Sequence, residues 1–567
     1  MPTDPFSIIL TSTYAMHSMK TTSFRTAIRS PRRLGAALVL SLLAAAGHAA
    51  PKDEAWVADL GNGRYQNPIL NADYSDPDAV RVGDTYYMTA SSFNSAPGLP
   101  LLQSKDMVNW TLVGHALPKL VPAGHFATPR TGAGVWAPSL RHHDGKFWIF
   151  YPDPDHGVYV ITATDFAGPW SEPHLLLPGK GIIDPAPLWD ADGKAWLIHA
   201  WAKSRAGINN VLTLRSMDPS GRRLLDQEGK VIIDGNKLPG YRTLEGPKLY
   251  KHEGWYYVFA PAGGVEEGWQ SVFRSRTIDG PYEDRIVMEQ GDTVINGPHQ
   301  GAWLRTPEGK DWFVHFQDRK AYGRVTHLQP MTWNEGWPLI GQPGPKPGVG
   351  NPVLSWSKPV PGQPVAVPPT TDEFTGKTLG LQWQWHANPQ AGWYSLAARP
   401  GHLRLPVQAV PASKGNLRAA PNILGQKLPA TAFTAQTRIE LRDAADGDRA
   451  GLVLNGMTYA TLGLRKQGGA LQLVYTTCEP VKPRCTETDT VLLPEAPGAV
   501  TLRMRMAEGA QAQFSYSVDG KTFTPAGAPF AATKGHWVGA QMGLYSVSEA
   551  ARPSGAWMDV DYFRVGR

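Results

Sequence analysis

The chain repeats itself. At intervals of about 55 residues, five times over, an acidic residue and a neighbouring glycine lead into a strand-like run, aromatic in every unit. The units are Gly83-Asp84-Thr85-Tyr86-Tyr87, Asp144-Gly145-Lys146-Phe147-Trp148, Asp192-Gly193-Lys194-Ala195-Trp196, Glu253-Gly254-Trp255-Tyr256-Tyr257 and Glu308-Gly309-Lys310-Asp311-Trp312. An acid–glycine pair before a β-favouring aromatic run is a hairpin signal. A second element closes three of the units: Ser104-Lys105-Asp106-Met107-Val108-Asn109-Trp110, Thr164-Asp165-Phe166-Ala167-Gly168-Pro169-Trp170 and Arg276-Thr277-Ile278-Asp279-Gly280-Pro281-Tyr282. Successive units of this length fit four-stranded blades, and they predict a five-bladed β-propeller over residues 60–355. Evenly spaced strands also occur in sandwiches, which is the competing reading.

Residues 356–371 are rich in proline and read as a semi-rigid linker. Beyond them, residues 372–567 alternate polar and apolar positions in short runs such as Ala470-Leu471-Gln472-Leu473-Val474-Tyr475, which predicts a β-sandwich. The expected fold is therefore all-β, a propeller followed by a sandwich. The first 49 residues are of another kind: Lys20, Arg25, Arg29, Arg32 and Arg33 precede an apolar run from Leu34 to Ala46 and a small-residue stretch. That order reads as a secretory signal peptide, so the protein is expected to be exported to the periplasm or beyond the cell. The run is short for a membrane span, and no other stretch resembles one. Those 49 residues carry five bases and one acid, Asp4, a net of +4, so the formal +6 of the chain falls to +2 without them. No case for a nucleic-acid partner survives that subtraction. The only cysteines, Cys478 and Cys485, are expected to form a disulfide closing a tight turn between two strands, which an exported protein can keep.

The repeat also locates chemistry. Eight residues before the hairpin acid of the first four units stand Asp76, Trp136, Asp184 and Glu245; His299 lies nine before Glu308. Equivalent positions in radial blades fall on a ring around the axis, on the innermost strand or the loop leading into it. Asp76, Asp184 and Glu245 should therefore converge at one mouth of the central channel. Carboxyls gathered in a confined site raise one another's pKa, and desolvation adds to the effect. That perturbation is what an acid/base pair requires.

These same residues carry a resemblance. Tyr74-Ser75-Asp76-Pro77-Asp78 with the Gly83-Asp84 hairpin, Trp136-Ala137-Pro138, Gly181-Ile182-Ile183-Asp184-Pro185, Glu245-Gly246-Pro247-Lys248, Tyr322-Gly323-Arg324 and Gly336-Trp337-Pro338 together resemble glycoside hydrolase family 43. The tail from Asp372-Glu373-Phe374, with Leu381-Gln382-Trp383-Gln384-Trp385, is similar to the concanavalin A-like sandwich attached to β-xylosidases of that family. Asp78 stands where many members carry Ser.

The resemblance implies an inverting mechanism. Asp76 is the expected general base, Glu245 the general acid, and Asp184 the residue that orients Glu245 and raises its pKa. Inversion leaves room for water between base and acid, roughly 6.5–9.5 Å between carboxyls. Trp136 and Phe93 are expected as apolar walls against the sugar. Arg324 is expected to bind sugar hydroxyls or hold a carboxylate. His299 either touches substrate, serves a central cation through water as in some relatives, or is a satisfied buried histidine. The implied activity is release of terminal xylose from xylan-derived oligosaccharides, with an α-L-arabinofuranosidase or a bifunctional enzyme as the alternative, and a non-catalytic sugar-binding propeller as the second. The partner is thus plant cell-wall saccharide: xylan, arabinoxylan or arabinan. No cofactor is required for acid/base chemistry; Asp372, Asp559 and Asp561 are candidate ligands for a structural Ca²⁺ in the sandwich.

Overall fold

The acid–glycine pairs turn the chain as expected. Asp144-Gly145 and Glu253-Gly254 have positive φ at both positions (49° and 68°, 48° and 75°), and His143 pairs with Lys146 and His252 with Trp255 around them. These are two-residue loops of the mirror-image type that matches strand twist. The computed structural model describes residues 53–410, 416–481, 484–550 and 554–567; the expected signal segment, residues 1–49, lies outside them. No helix among the described residues is long and apolar enough to cross a membrane.

Each hairpin opens a four-stranded antiparallel sheet whose strands follow chain order. The first strands of the five sheets are Asp78–Val82, Ser139–His143, Ile182–Trp189, Lys248–His252 and His299–Arg305. The last are Thr111–Leu117, His174–Pro178, Lys230–Asp234, Glu283–Met288 and Trp337–Ile340. The fourth sheet gains two short strands, Gly350–Asn351 and Gln342–Pro343, at its outer edge. Five such blades form the propeller. Apolar side chains fill the space between neighbours: Leu101, Leu140, Ile149 and Tyr151 between the first two blades, Ile198, Leu212, Leu249 and Phe273 between the third and fourth. Each fully buried side chain of this kind stabilises by about 1.5–3 kcal/mol.

The ring is closed by the segment before the first blade. Arg64–Gln66 pairs antiparallel with Ser355–Ser357. Asn67 Nδ2 donates to the carbonyls of Leu328 and Val353, each at 2.8 Å, and Leu70 bridges to Thr326 in the fifth blade. The first residues of the expected linker are thus strand. The rest is tethered: Lys358 Nζ sits 2.5 Å from Asp59 and 2.9 Å from Asp106, all buried, and Ala366 N donates to Asn109 Oδ1.

The C-terminal unit is a sandwich of an eight-stranded and a six-stranded sheet. Phe433–Arg442 shows the reason in its burial, alternating buried and half-buried along its first six residues. Leu452, Leu462, Met542 and Leu544 of one sheet meet Ile439, Leu502, Phe514 and Val560 of the other. Cys478 and Cys485 are joined by a disulfide across the hairpin of Ala470–Val481 and Arg484–Leu493. The expected Ca²⁺ ligands do not converge. Asp559 accepts Arg404 Nε at 2.7 Å and Arg404 Nη2 at 2.9 Å. Asp372 accepts Phe374 N at 2.8 Å and Trp383 Nε1 at 2.9 Å. Both carboxylates are occupied by protein donors, and among the described residues no group of three or more His, Cys, Asp or Glu side chains is placed to hold a metal ion.

The sandwich is fastened to the propeller by backbone pairing. Ala96 and Trp385 exchange N–H···O bonds of 3.0 and 2.6 Å, Ala540 N donates to Ala321 O at 2.7 Å, and Asn388 bonds both N and O of Leu120. Tyr322, from the fifth blade, receives Ala510 N on its hydroxyl and donates towards Thr431 O.

Candidate active site

Asp76 lies two residues before the innermost strand of its blade and Glu245 three before its own; Asp184 is the third residue of its strand, at a break in register between Ile183 and Ala186. Two of them carry positive φ, 52° at Asp76 and 54° at Asp184, a costly conformation for a residue with a side chain. All three line one pocket of about 280 Å³ together with Phe93, Trp136 and Arg324.

Their surroundings differ, which is what separates their chemistry. Asp76 is an acceptor for Ser75 Oγ at 2.7 Å, Ser91 Oγ at 2.6 Å and Arg324 Nη1 at 3.0 and 3.3 Å. Arg324 is therefore buried against a carboxylate, and it also donates to Ser75 Oγ. Among the described residues no cation is bonded to Asp184. It accepts one bond, from Gly246 N at 2.8 Å, which sets it beside Glu245. Burial first, and then the charge of Glu245, push its pKa from 3.8 up to about 8. Gly246 makes this contact possible: its φ is +62°, and a Cβ there would come within 2.9 Å of the Gln300 side chain.

Glu245 is the most open of the three, with a quarter of its side chain exposed. His299 Nε2 reaches its Oε1 at 3.1 Å. The His299 side chain itself is fully buried and is not part of the pocket lining, so it holds Glu245 and is not placed to touch a sugar. The ring position facing the pocket in that blade is the next residue, Gln300, because a register shift between His299 and Gly301 turns it outward.

The aromatic walls are Phe93 and Trp136, with centroids 6.2 Å apart, and a third ring joins them: Trp537, 6.1 Å from Trp136 in an edge-on arrangement. Trp537 belongs to the sandwich and has φ of 72°. Its loop is held by Asp73, whose Oδ2 accepts Gly539 N and whose Oδ1 accepts Arg324 N, both at 2.9 Å. Gly539 packs so tightly on the propeller that a Cβ would lie 2.6 Å from Gly323 N. Sequence reasoning missed Trp537, Gln300 and Ser91; only Gln300, next to His299, had a local signal.

Asp78 faces away from this pocket. Fully buried, it accepts Leu140 N and Arg141 Nη1 at 2.8 Å each and lies 3.4 Å from Lys248 Nζ. The extra acid beside the candidate base is thus neutralised by two cations on its far side.

Comparison with known proteins agrees with this geometry. The family model for glycosyl hydrolases family 43 matches residues 65–338, and that for the β-xylosidase C-terminal concanavalin A-like domain matches residues 371–566. A putative β-xylosidase of Xylanibacter ruminicola is 38% identical over 86% of this chain and 86% of its own length. A non-reducing end α-L-arabinofuranosidase of Bacteroides ovatus is 29% identical over 80% of this chain and 85% of its own. Among solved structures, a xylan β-1,4-xylosidase from Bacillus halodurans superposes with a TM-score of 0.77 at 26% identity, covering 88% of this chain and all of that one. With two matched domains in the same order and acids of three blades meeting in one pocket, this chain belongs to glycosyl hydrolases family 43 and is a glycoside hydrolase.

Proposed function

We propose that this enzyme is an inverting, exo-acting β-xylosidase that removes terminal xylose from xylan-derived oligosaccharides. The observation that carries the reading is the inequality of three carboxyls in one pocket: Asp76 against a guanidinium, and Asp184 buried beside Glu245 without one. Asp76 is the general base. It takes a proton from water as that water attacks the anomeric carbon, and Arg324 and the two serine hydroxyls keep its carboxylate aimed. Glu245 is the general acid. It gives its proton to the glycosidic oxygen as the C–O bond breaks, and His299 sets its carboxyl. Asp184 and Glu245 are coupled closely enough to be treated as a pair; near neutrality the pair keeps a proton that two exposed carboxyls would lose, and the bond from Gly246 fixes their geometry. One C–O bond forms from water as the glycosidic C–O bond breaks, with protons passing to Asp76 and from Glu245, so the mechanism calls on no cofactor.

The aromatic rings of Phe93, Trp136 and Trp537 offer apolar faces to the sugar, and the Trp537 loop narrows the rim, which favours a chain end over an internal bond. Relatives named as arabinofuranosidases support a second activity on terminal arabinofuranose at the same site. The basic, apolar and small-residue order of residues 1–49 and the Cys478–Cys485 disulfide support export to an oxidising compartment, periplasmic or extracellular.

The test is hydrolysis of nitrophenyl β-xylopyranoside and nitrophenyl α-L-arabinofuranoside, with the product anomer followed by NMR. The α-anomer of xylose should appear first, and Glu245→Gln should lose about 10²–10⁴-fold in kcat on unactivated xylo-oligosaccharides. First appearance of β-xylose from the xyloside refutes inversion. Equal inertness of wild type and variant on both glycosides refutes the enzyme assignment.

A further inference from the structure

A second cavity lies at the junction of propeller, linker and sandwich, lined by Asn71, Tyr74, Gln382, Gln426 and Lys427 and by linker residues that include Pro368 and Pro369. Only a few water-sized groups fit in it. It shares no lining residue with the catalytic pocket.

Its polar lining is unfinished. Lys427 ends the strand Leu424–Lys427, and its ammonium lies 5.3 Å from the centroid of the Tyr74 ring. Among the described residues, no carboxylate lies within ion-pair distance of it. The acid whose charge acts on it is Asp73, but both Asp73 oxygens already accept backbone N–H groups, from Arg324 and Gly539. Burial lowers the pKa of Lys427, as expected for a cation taken from water without a counter-charge. Gln426, 1% exposed, has neither amide atom hydrogen-bonded; Oε1 of Gln382 and Oδ1 of Asn71 are likewise buried and unpartnered. Buried polar groups left this way carry an uncompensated loss of their hydrogen bonds to water. The remaining walls are apolar: Ile69, Leu70 and Leu112.

The chemistry of the lining defines what completes it. One cation and one amide N–H₂ call for an anionic acceptor. Three amide oxygens call for a donor, and the apolar walls with the small volume call for a short carbon skeleton. We propose that this junction cavity is a binding site for a small hydroxycarboxylate, of glycolate or lactate size, with the carboxylate on Lys427 and Gln426 Nε2 and the hydroxyl donating to an amide oxygen. His115, which also lines the cavity, stays neutral because burial holds its pKa down at about 3, so it adds no second positive charge. Two carboxylates would oppose the anion: Glu54, which lines the cavity and whose pKa burial raises, and Asp73, whose engagement by two N–H donors limits its repulsion.

The experiment is a thermal-unfolding titration of the whole chain with glycolate at constant ionic strength, with acetate, chloride and xylose as parallel arms and ¹³C-glycolate line broadening as an independent readout. Glycolate should raise Tm in a saturable way, because a ligand held only by the folded state stabilises it by mass action. Lys427→Met should weaken that response by about tenfold or more, and should not itself lower Tm, since replacing an unpaired buried charge by an apolar group of similar length is neutral or stabilising. Gln426→Leu should weaken it less and serves if Lys427→Met does not fold. A response to chloride equal to that of glycolate, no response to glycolate, or an undiminished response in both variants overturns the site. Acetate binding as tightly as glycolate overturns the role given to the hydroxyl. None of these outcomes depends on catalysis, so a failed site leaves the glycosidase reading untouched.

Discussion

Replacing Asp184 by Asn should make the protein more stable while it destroys much of the activity. Asp184 is 4% exposed, and burial together with Glu245 raises its pKa from 3.8 to about 8. A carboxyl whose pKa is raised by folding binds its proton more tightly in the folded state. Its protonated form therefore favours folding fully below pH 3.8, and that contribution is lost as pH rises through the window up to about 8. Across the roughly three pH units between 3.8 and neutrality, at about 1.4 kcal/mol per unit, the ionisable side chain costs the folded protein about 4 kcal/mol relative to a group that needs no proton. Asparagine is such a group, and its carbonyl oxygen can still accept Gly246 N. The assay is urea unfolding of wild type and Asp184→Asn near pH 4, pH 7 and pH 9, referred to their unfolding midpoints. The variant should match wild type at the acid end and exceed it by a few kcal/mol at neutrality, with kcat down by about 10²–10⁴-fold. If both proteins lose stability in parallel between about pH 4 and pH 7, the proton is not held at this site and the assignment of the pair is wrong.

Other consequences are as direct. Trp537→Ala should raise KM for a xyloside by about tenfold while kcat stays within about threefold, if the ring that lines the pocket serves as a wall for the sugar and not for the reacting atoms. Asp73→Asn turns one acceptor towards an N–H donor and should destabilise by about 1–3 kcal/mol, read by thermal unfolding. In a double-mutant cycle its effect on KM should overlap with that of Trp537→Ala, since both act on the same loop; strict additivity would refute that link.

The offset of eight residues was enough to find the three acids because a blade places its first strand and the loop before it in the same relation to the axis each time. Asp76, Asp184 and Glu245 inherit their convergence from that register. The same count reached His299 and stopped one residue short of the pocket. The register shift at Gln300 turns one side chain inward and the next outward, and a bulge of this kind leaves no mark in a hydrophobic pattern. Arg324 could be suspected of holding a carboxylate, yet which one depends on the fifth blade lying beside the first, a consequence of ring closure. Trp537 was out of reach for a different reason. It comes from a separate domain, on a loop with no repeat to locate it, and the packing of Gly539 against Gly323 and Asp73 brings it to the pocket. The acids expected for Ca²⁺ show another limit: charge composition reveals carboxylates but not the arginine and tryptophan donors bonded to Asp559 and Asp372.

Because one wall of the catalytic pocket is a tryptophan borrowed from the sandwich, the propeller by itself is an unfinished enzyme. Grafting a sandwich from another member of the family would alter a single ring at the mouth and leave the proton-transferring groups as they are. One of the three aromatic walls is thereby carried by a different half of the molecule from the acids, and exchange of domains offers a route to altered sugar preference with the same acids in place.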